Sequence, residues 1–271
     1  MKRGSLPAVN VAGRSVLLTG ATGGLGHAIA RRLAAAGANV VLSGRRGDVL
    51  VGLATEIGAT VAPADLSDPA AVRELAAAHA DVDILVSNAG LSASGVIDSW
   101  SEEQIDRALD VNLRSAIVLT RLLVPHMVQR GDGHVVFMSS LAGKSPTAGA
   151  SLYNATKFGL RGFAGALRAE LHGTGVGVSA IFPGFIRDAG MFHEAKVKLP
   201  PGVTTKSPDQ VAGAVLRAIE RNKAEIDVAP FGLRLGSVLG GLVPDVAAAV
   251  TRKTGGARIA EAHEIAHMSK R

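Results

Sequence analysis

The chain has 271 residues, of which 47% are hydrophobic and 19% charged, with 33 glycines and no cysteine. That length suits one large α/β domain that buries its core without disulfides or metals, and the balance of residues is that of a compact globular protein rather than a disordered one. The absence of cysteine excludes disulfides and thiolate chemistry and fits a reducing, cytoplasmic setting. The formal net charge is +6 and the pI about 10.0, yet the basic residues are scattered and aromatics make up only 3%. That argues against nucleic acid as a partner; the charge reads as a solvated face that helps to attract an anionic ligand. The opening MKRGSLPAVN is too short and too interrupted for a signal peptide, and no run of ~18 uncharged apolar residues occurs, so no transmembrane segment is expected.

In chain order, seven apolar, β-rich runs stand out: SVLLTG (15–20), NVVLS (39–43), TVAPA (60–64), ILVSNAG (84–90), HVVFMSS (134–140), VGVSAIFPG (176–184) and EIDVAP (225–230). Amphipathic or alanine-rich stretches of helical length separate them. Continuous apolar strands alternating with helices predict an α/β fold, a doubly wound parallel sheet of about seven strands with helices on both faces. No composition break precedes Pro230, so 1–230 reads as one domain and 231–271 as a C-terminal extension.

After the first strand, TGATGGLG (19–26) opens the helix HAIARRLAAAG. Gly20, Gly24 and Gly26 allow a tight turn and close approach of backbone to phosphate, and the helix start points free N–H groups at the anion. Strand before and helix after make this a dinucleotide site, with Thr22 and Leu25 inside the same loop. The second strand ends in Ser43-Gly44-Arg45-Arg46, without the acid that would bond the ribose hydroxyls of NAD. Gly44 leaves room for a 2′-phosphate and Arg45 can pair with it, so NADP is expected, with NAD as the alternative; two arginines that merely solvate a loop are the bland reading.

The single tyrosine stands in YNATK, four residues before Lys157. One helical turn separates such positions, so on a helix the Tyr153 phenol and the Lys157 ammonium share a face. A free phenol has a pKa near ~10, too high for ready acid/base work near neutrality; a neighbouring ammonium, with a positively charged nicotinamide nearby in the oxidised state, favours the phenolate and lowers that pKa.

Thr19-Gly20 through Gly26, Asp65-Leu66, Asn88-Ala89-Gly90, Asn112, Ser140, Tyr153, Lys157 and Pro183-Gly184, in this order and spacing, resemble the compact single-domain branch of the short-chain dehydrogenase/reductase family over roughly residues 14–230. The resemblance implies a Rossmann fold and an oxidoreductase that interconverts a carbonyl and a secondary alcohol by hydride transfer with a nicotinamide cofactor. It makes Asn112, Ser140, Tyr153 and Lys157 the catalytic set. Tyr153 would move the proton and Ser140, rather than Ser139, would hold the substrate oxygen. Lys157 would also bond the nicotinamide ribose, and Asn112 would relay protons through a water held between it and Lys157. Leu66, Tyr153 and Ile186 join the implied cofactor contacts, and Arg46 is counted with Arg45 at the 2′-phosphate. Asp65 would bond the adenine amine, although it is also placed to cap the next helix. Asn88, Ala89 and Gly90 would let the cofactor lie against the fourth strand, and Pro183, Gly184 and the Ile186 backbone would lie near the nicotinamide. Asp188 stands where many members have threonine.

The remaining features carry less. Residues 187–206 read as a mobile substrate loop, and FGLRLGSVLGGLVPDVAAAVTRKTGG after Pro230 as a substrate lid, an oligomer contact or a membrane-surface segment. The apolar 185–199 and 231–250 stretches hint at a lipid-like, steroid-like or acyl substrate. Ala155, Gly159, Gly162 and Gly165 on a helix over 152–172 would permit close contact between subunits, or within one chain, and the resemblance implies a homodimer or homotetramer. His263 and His267 are four apart without a surrounding HExxH pattern, so no metal site is expected. Trp100, before the helix start Ser101-Glu-Glu, reads as a packing residue. The alternative to an enzyme is a catalytically silent dinucleotide-binding sensor.

Overall fold

A computed structural model of the chain describes residues 10–190 and 204–243, together with Asp245. Seven parallel strands form one sheet: β1 (Ser15–Leu18), β2 (Asn39–Gly44), β3 (Thr60–Pro63), β4 (Ile84–Ser87), β5 (Gly133–Met138), β6 (Val176–Pro183) and β7 (Glu225–Val228). Their order is β3-β2-β1-β4-β5-β6-β7. The helices are α1 (Gly24–Ala35), α2 (Gly47–Ile57), α3 (Pro69–Ala78), α4 (Glu102–Leu109), α5 (Ser115–Arg130), α6 (Ser151–Glu170), α7 (Pro208–Glu220) and α8 (Phe231–Leu242).

The two-residue period of each strand sends alternate side chains to opposite faces. Val16, Leu18, Ile84, Val86, Val136 and Ile181 join α1, α2 and α7 in one core. Leu17, Leu85, Val135, Phe137, Ala180 and Phe182 join α3, α5 and α6 in the other. Burial on both faces is why the strands read as unbroken apolar runs. Trp100 belongs to a small satellite core with Ala93, Ala108 and Leu152, as a packing residue should.

Most predicted strands end early. The runs overshoot at Thr19-Gly20, Asn88–Gly90, Ser139-Ser140 and Ala229-Pro230, where the chain leaves the sheet at its carboxyl edge. The strand order reverses between β1 and β4, which opens a crevice at that edge.

The helix starts differ in a way that matters there. Asp68 caps α3 by accepting from the Ala70 N–H at 2.8 Å, with Pro69 in the first turn. Ser101 with Gln104 and Ser207 with Gln210 form reciprocal caps on α4 and α7. Helix α1 instead begins after Gly23 with no side-chain cap and no acid in its first turn, leaving N–H groups toward the crevice.

Candidate active site

Gly20 adopts φ +66°, and a Cβ there would lie 2.7 Å from Ala89 Cα; at Gly26 a Cβ would lie 2.2 Å from the Gly20 carbonyl oxygen. Only glycine fits either position. Two side chains hold the loop against β4. The Thr19 hydroxyl accepts from the N–H groups of Asn88 and Ala89, and the Asn88 amide donates to the Thr19 and Gly20 carbonyls. Asn88 is thus engaged in shaping the loop. The carbonyl of Thr22 accepts from the Arg46 guanidinium, tying β2's end to the same loop.

A Cβ on Gly44 would meet the Thr22 side chain at 3.0–3.2 Å, and Gly44 lines the cavity beside Thr22 and Arg45. The cap of α3 is Asp68; Asp65 accepts instead from the N–H and hydroxyl of Ser67, at 3.0 and 2.7 Å. Burial pushes the Asp65 carboxyl up, but the Ser67 bonds and the charges of Arg45 and Arg107 outweigh it and hold the group below the usual carboxylate range.

Ser140 follows β5. Its hydroxyl accepts from the Ala142 N–H at 3.2 Å and faces the Pro183 carbonyl at 3.4 Å, on the cavity that Tyr153 also lines. Ser139 points elsewhere and donates to the Lys157 carbonyl at 3.0 Å, which separates the two serines by role. Tyr153 and Lys157 sit one turn apart on α6, with Nζ 5.5 Å from the phenol ring centroid. Lys157 is 3% exposed and donates to the Met138 carbonyl at 2.9 Å; burial lowers it to about 8.

Burial pushes the Tyr153 phenol above its ordinary value, and hydrogen bonding by Ser140 pulls it back only partly.

Asn112 lies in a π-helical turn (Asp110–Arg114) between α4 and α5, 1% exposed. Its carbonyl oxygen accepts from the Leu91 N–H at 2.6 Å and its amide donates to the Leu91 carbonyl at 3.0 Å. Both polar atoms are therefore bound to the loop after β4, and Asn112 does not line the cavity. Ile186 forms a bridge with Lys206 that pins the two ends of the predicted substrate loop together. Asp188, at φ +65°, faces solvent beside Arg187. Most of that loop (191–203), as well as His263, His267 and the chain from 246 onward, lies outside the described residues.

One cavity of about 1220 Å³ runs along the carboxyl edge of the sheet. It joins Gly20, Thr22, Gly24, Leu25, Gly26, Arg45, Arg46, Asp65, Leu66 and Asn88–Gly90 at one end to Ser140, Tyr153, Lys157, Pro183, Gly184 and Ile186 at the other. Ordinary ligand pockets occupy ~300–1,000 Å³, so an extended two-part ligand fits. The glycine positions that exclude a Cβ and the uncapped α1 start match the backbone and phosphates of a dinucleotide.

Three further residues escaped the sequence reading. Asn154, beside Tyr153, donates to the carbonyls of Ala142 and Ser145 and accepts from the Thr147 N–H. Lys144 is a nearly buried cation, and Arg107 reaches the cavity wall 3.9 Å from Asp65. Adjacency to the motif tyrosine was the one available signal for Asn154; the other two depend on residues far away in the chain.

The family model for short chain dehydrogenase matches residues 14–199. Ketoacyl reductase HetN of Nostoc sp. is 37% identical over 225 residues, covering 80% of this chain and 78% of that protein. The NADP-dependent 3-hydroxy acid dehydrogenase YdfG of Salmonella typhi is 41% identical over 179 residues, covering 63% of this chain and 72% of the other. A solved short-chain dehydrogenase from Sphingobium yanoikuyae in complex with NADPH superposes with a TM-score of 0.72 at 29% identity, covering 86% of this chain and 96% of that one. With its glycine loop, its parallel seven-stranded sheet and these relatives, the chain belongs to the short chain dehydrogenase family and is a nicotinamide-dependent oxidoreductase.

Proposed function

We propose that the protein interconverts an apolar ketone and its secondary alcohol, with NADP(H) preferred over NAD(H). The observation that carries this is the placing of Ser140, Tyr153 and the buried Lys157 on one cavity continuous with the glycine loop. When bound, the dinucleotide supplies or accepts the hydride. The chain's own groups position substrate and move the proton. Tyr153 donates its phenolic proton to the carbonyl oxygen in reduction and takes one from the alcohol in oxidation. Ser140 holds that oxygen, and Lys157, charged below pH ~8, stabilises the phenolate and bonds the ribose. Asn112 acts by fixing the Leu91 backbone at the cavity wall, and a water relay there would use its main chain.

Three observations support the finer points. Arg45 and Arg46 stand at the end of β2 where a 2′-phosphate would lie, Arg45 close enough to Asp65 to lower its pKa. YdfG is NADP-dependent by name, and the Sphingobium enzyme holds NADPH. The cavity is also lined by Leu91, Val111, Leu141, Phe185 and Leu233 of α8, which supports an apolar substrate and a lid role for the described start of 231–271. The outer face of α6 leaves Ala155, Gly162 and Gly165 open to a second subunit, while Gly159 packs on Leu113 of its own chain; a homodimer or homotetramer is proposed.

The test is a parallel titration with NADPH and NADH, followed by turnover of apolar ketones with Tyr153→Phe beside the wild type. Selective NADPH binding with Tyr153-dependent turnover is expected. Binding without turnover of any ketone or alcohol would return the protein to the silent-sensor alternative.

A further inference from the structure

Lys144 is 6% exposed, yet its ammonium is fully engaged. Nζ lies 2.6 Å from Asp227 Oδ1, 2.8 Å from Glu225 Oε2 and 4.0 Å from the centroid of the Phe182 ring. Three directions of donation, two carboxylates and one aromatic face account for the whole head group. A largely buried ion pair is weak evidence for stability, because apolar side chains of similar volume often do as well or better. The surroundings suggest another use.

Lys144 ends the short helical turn Leu141–Gly143 that Ser140 caps. The N–H groups of Gly143, Lys144 and Ser145 bond back to Ser140 and Leu141 at 2.8–3.1 Å, so Lys144 and Ser140 move as one body. Asn154 clamps the far side of this turn to α6, the helix that carries Tyr153. The Lys144 ion pairs clamp the near side to β7, whose Asp227 is in register with Phe182 of β6, next to the Pro183 that faces Ser140. Helix α8 rests on the same residue: a Cβ at Gly241 would lie 2.6 Å from the Lys144 carbonyl, and Arg234 reaches 4.0 Å from Asp227. Ser140 has one hydroxyl proton, and its 3.4 Å approach to the Pro183 carbonyl competes for it with the phenol.

We propose that Lys144 is a positioning residue: its pairs with Asp227 and Glu225 hold the Ser140 turn where the hydroxyl serves Tyr153, and link that turn to α8. This rests on the reading of Ser140 and Tyr153 as the proton-transfer pair. The consequence is measurable without a substrate, because Tyr153 is the chain's only tyrosine. Phenolate absorbance after a rapid pH jump, read before alkaline unfolding intervenes, titrates that one group. Lys157, 5.5 Å from the ring, is common to every variant.

The variants are Ser140→Ala, Lys144→Met, which keeps an apolar stem over Phe182, Asp227→Asn, and the double variant of Ser140→Ala with Lys144→Met. Ser140→Ala should raise the proton affinity of the phenol about threefold to tenfold, the worth of one ordinary hydrogen bond. Lys144→Met and Asp227→Asn should raise it in the same direction, and the double variant should go no further than Ser140→Ala. A Lys144→Met effect that adds fully in the Ser140→Ala background would be a through-space charge effect and overturns the proposal. So does wild-type titration of Lys144→Met or, if that variant fails to fold, of Asp227→Asn. An unshifted Ser140→Ala would instead remove the Ser140–Tyr153 bond beneath both readings, while leaving the cofactor assignment intact.

Discussion

The two ends of the cavity are built from different materials. The dinucleotide end is made of main chain: glycines that exclude a Cβ, an uncapped helix start, and side chains such as Thr19 and Asn88 that bond backbone rather than face outward. The reactive end is made of side chains that titrate, held by burial and by partners on three elements. A backbone site fails when atoms are added. A side-chain site fails when a single polar atom is removed, with the fold left intact.

The sharpest test of that contrast is Tyr153→Phe. It should fold as the wild type and bind NADPH unchanged, with turnover reduced ~10²–10⁴-fold, the usual share of a general acid/base. Equal loss of binding in a calorimetric titration would erase the distinction between the ends.

Next is Lys157, whose folded pKa of about 8 lies below its ordinary 10.5. Between these values the unfolded chain binds more protons, so this group's contribution to stability rises with pH by up to ~3 kcal/mol across that window. Support for the phenolate is lost over the same range as the ammonium discharges. A pH series should therefore show this group's thermal-stability contribution rising while turnover, with cofactor saturating, falls above pH ~8. Lys157→Met should abolish the stability slope.

Gly26→Ala should cost ~1–3 kcal/mol in thermal unfolding, because its Cβ would press on the Gly20 carbonyl, and should weaken both NADPH and NADH. Losses confined to one cofactor would contradict a backbone site. The smallest effect belongs to Arg45→Ala. Its exposed guanidinium should contribute ~0.2–1 kcal/mol, weakening NADPH severalfold or less and NADH hardly at all in the same titration.

The contrast also explains what could be read in advance. The sheet, its two buried faces, the glycine loop and the pairing of Tyr153 with Lys157 rest on local spacing: a period of two, a turn of helix, a glycine where φ is positive. Each survives translation into one dimension. Ser140 was separable from Ser139 only through family spacing, and the structure supplies the reason, since Ser139 bonds the Lys157 carbonyl. The helix cap, which spacing also allowed to Asp65, was settled by packing: Asp68 accepts from Ala70 while Asp65 accepts from Ser67. Burial, invisible in the sequence, adds an upward push on the Tyr153 phenol.

By itself, then, the sequence determined the parallel architecture and singled out the groups proposed to react, because periodicity, turn chemistry and motif spacing are short-range. Tertiary structure decided how those groups are tuned and held. Thr19 meets Asn88 across 69 positions and Lys144 meets Asp227 across 83. A buried charge finds its partner only when the strands between have been laid side by side, and the energy of such a pair depends on the low-dielectric surroundings that folding creates.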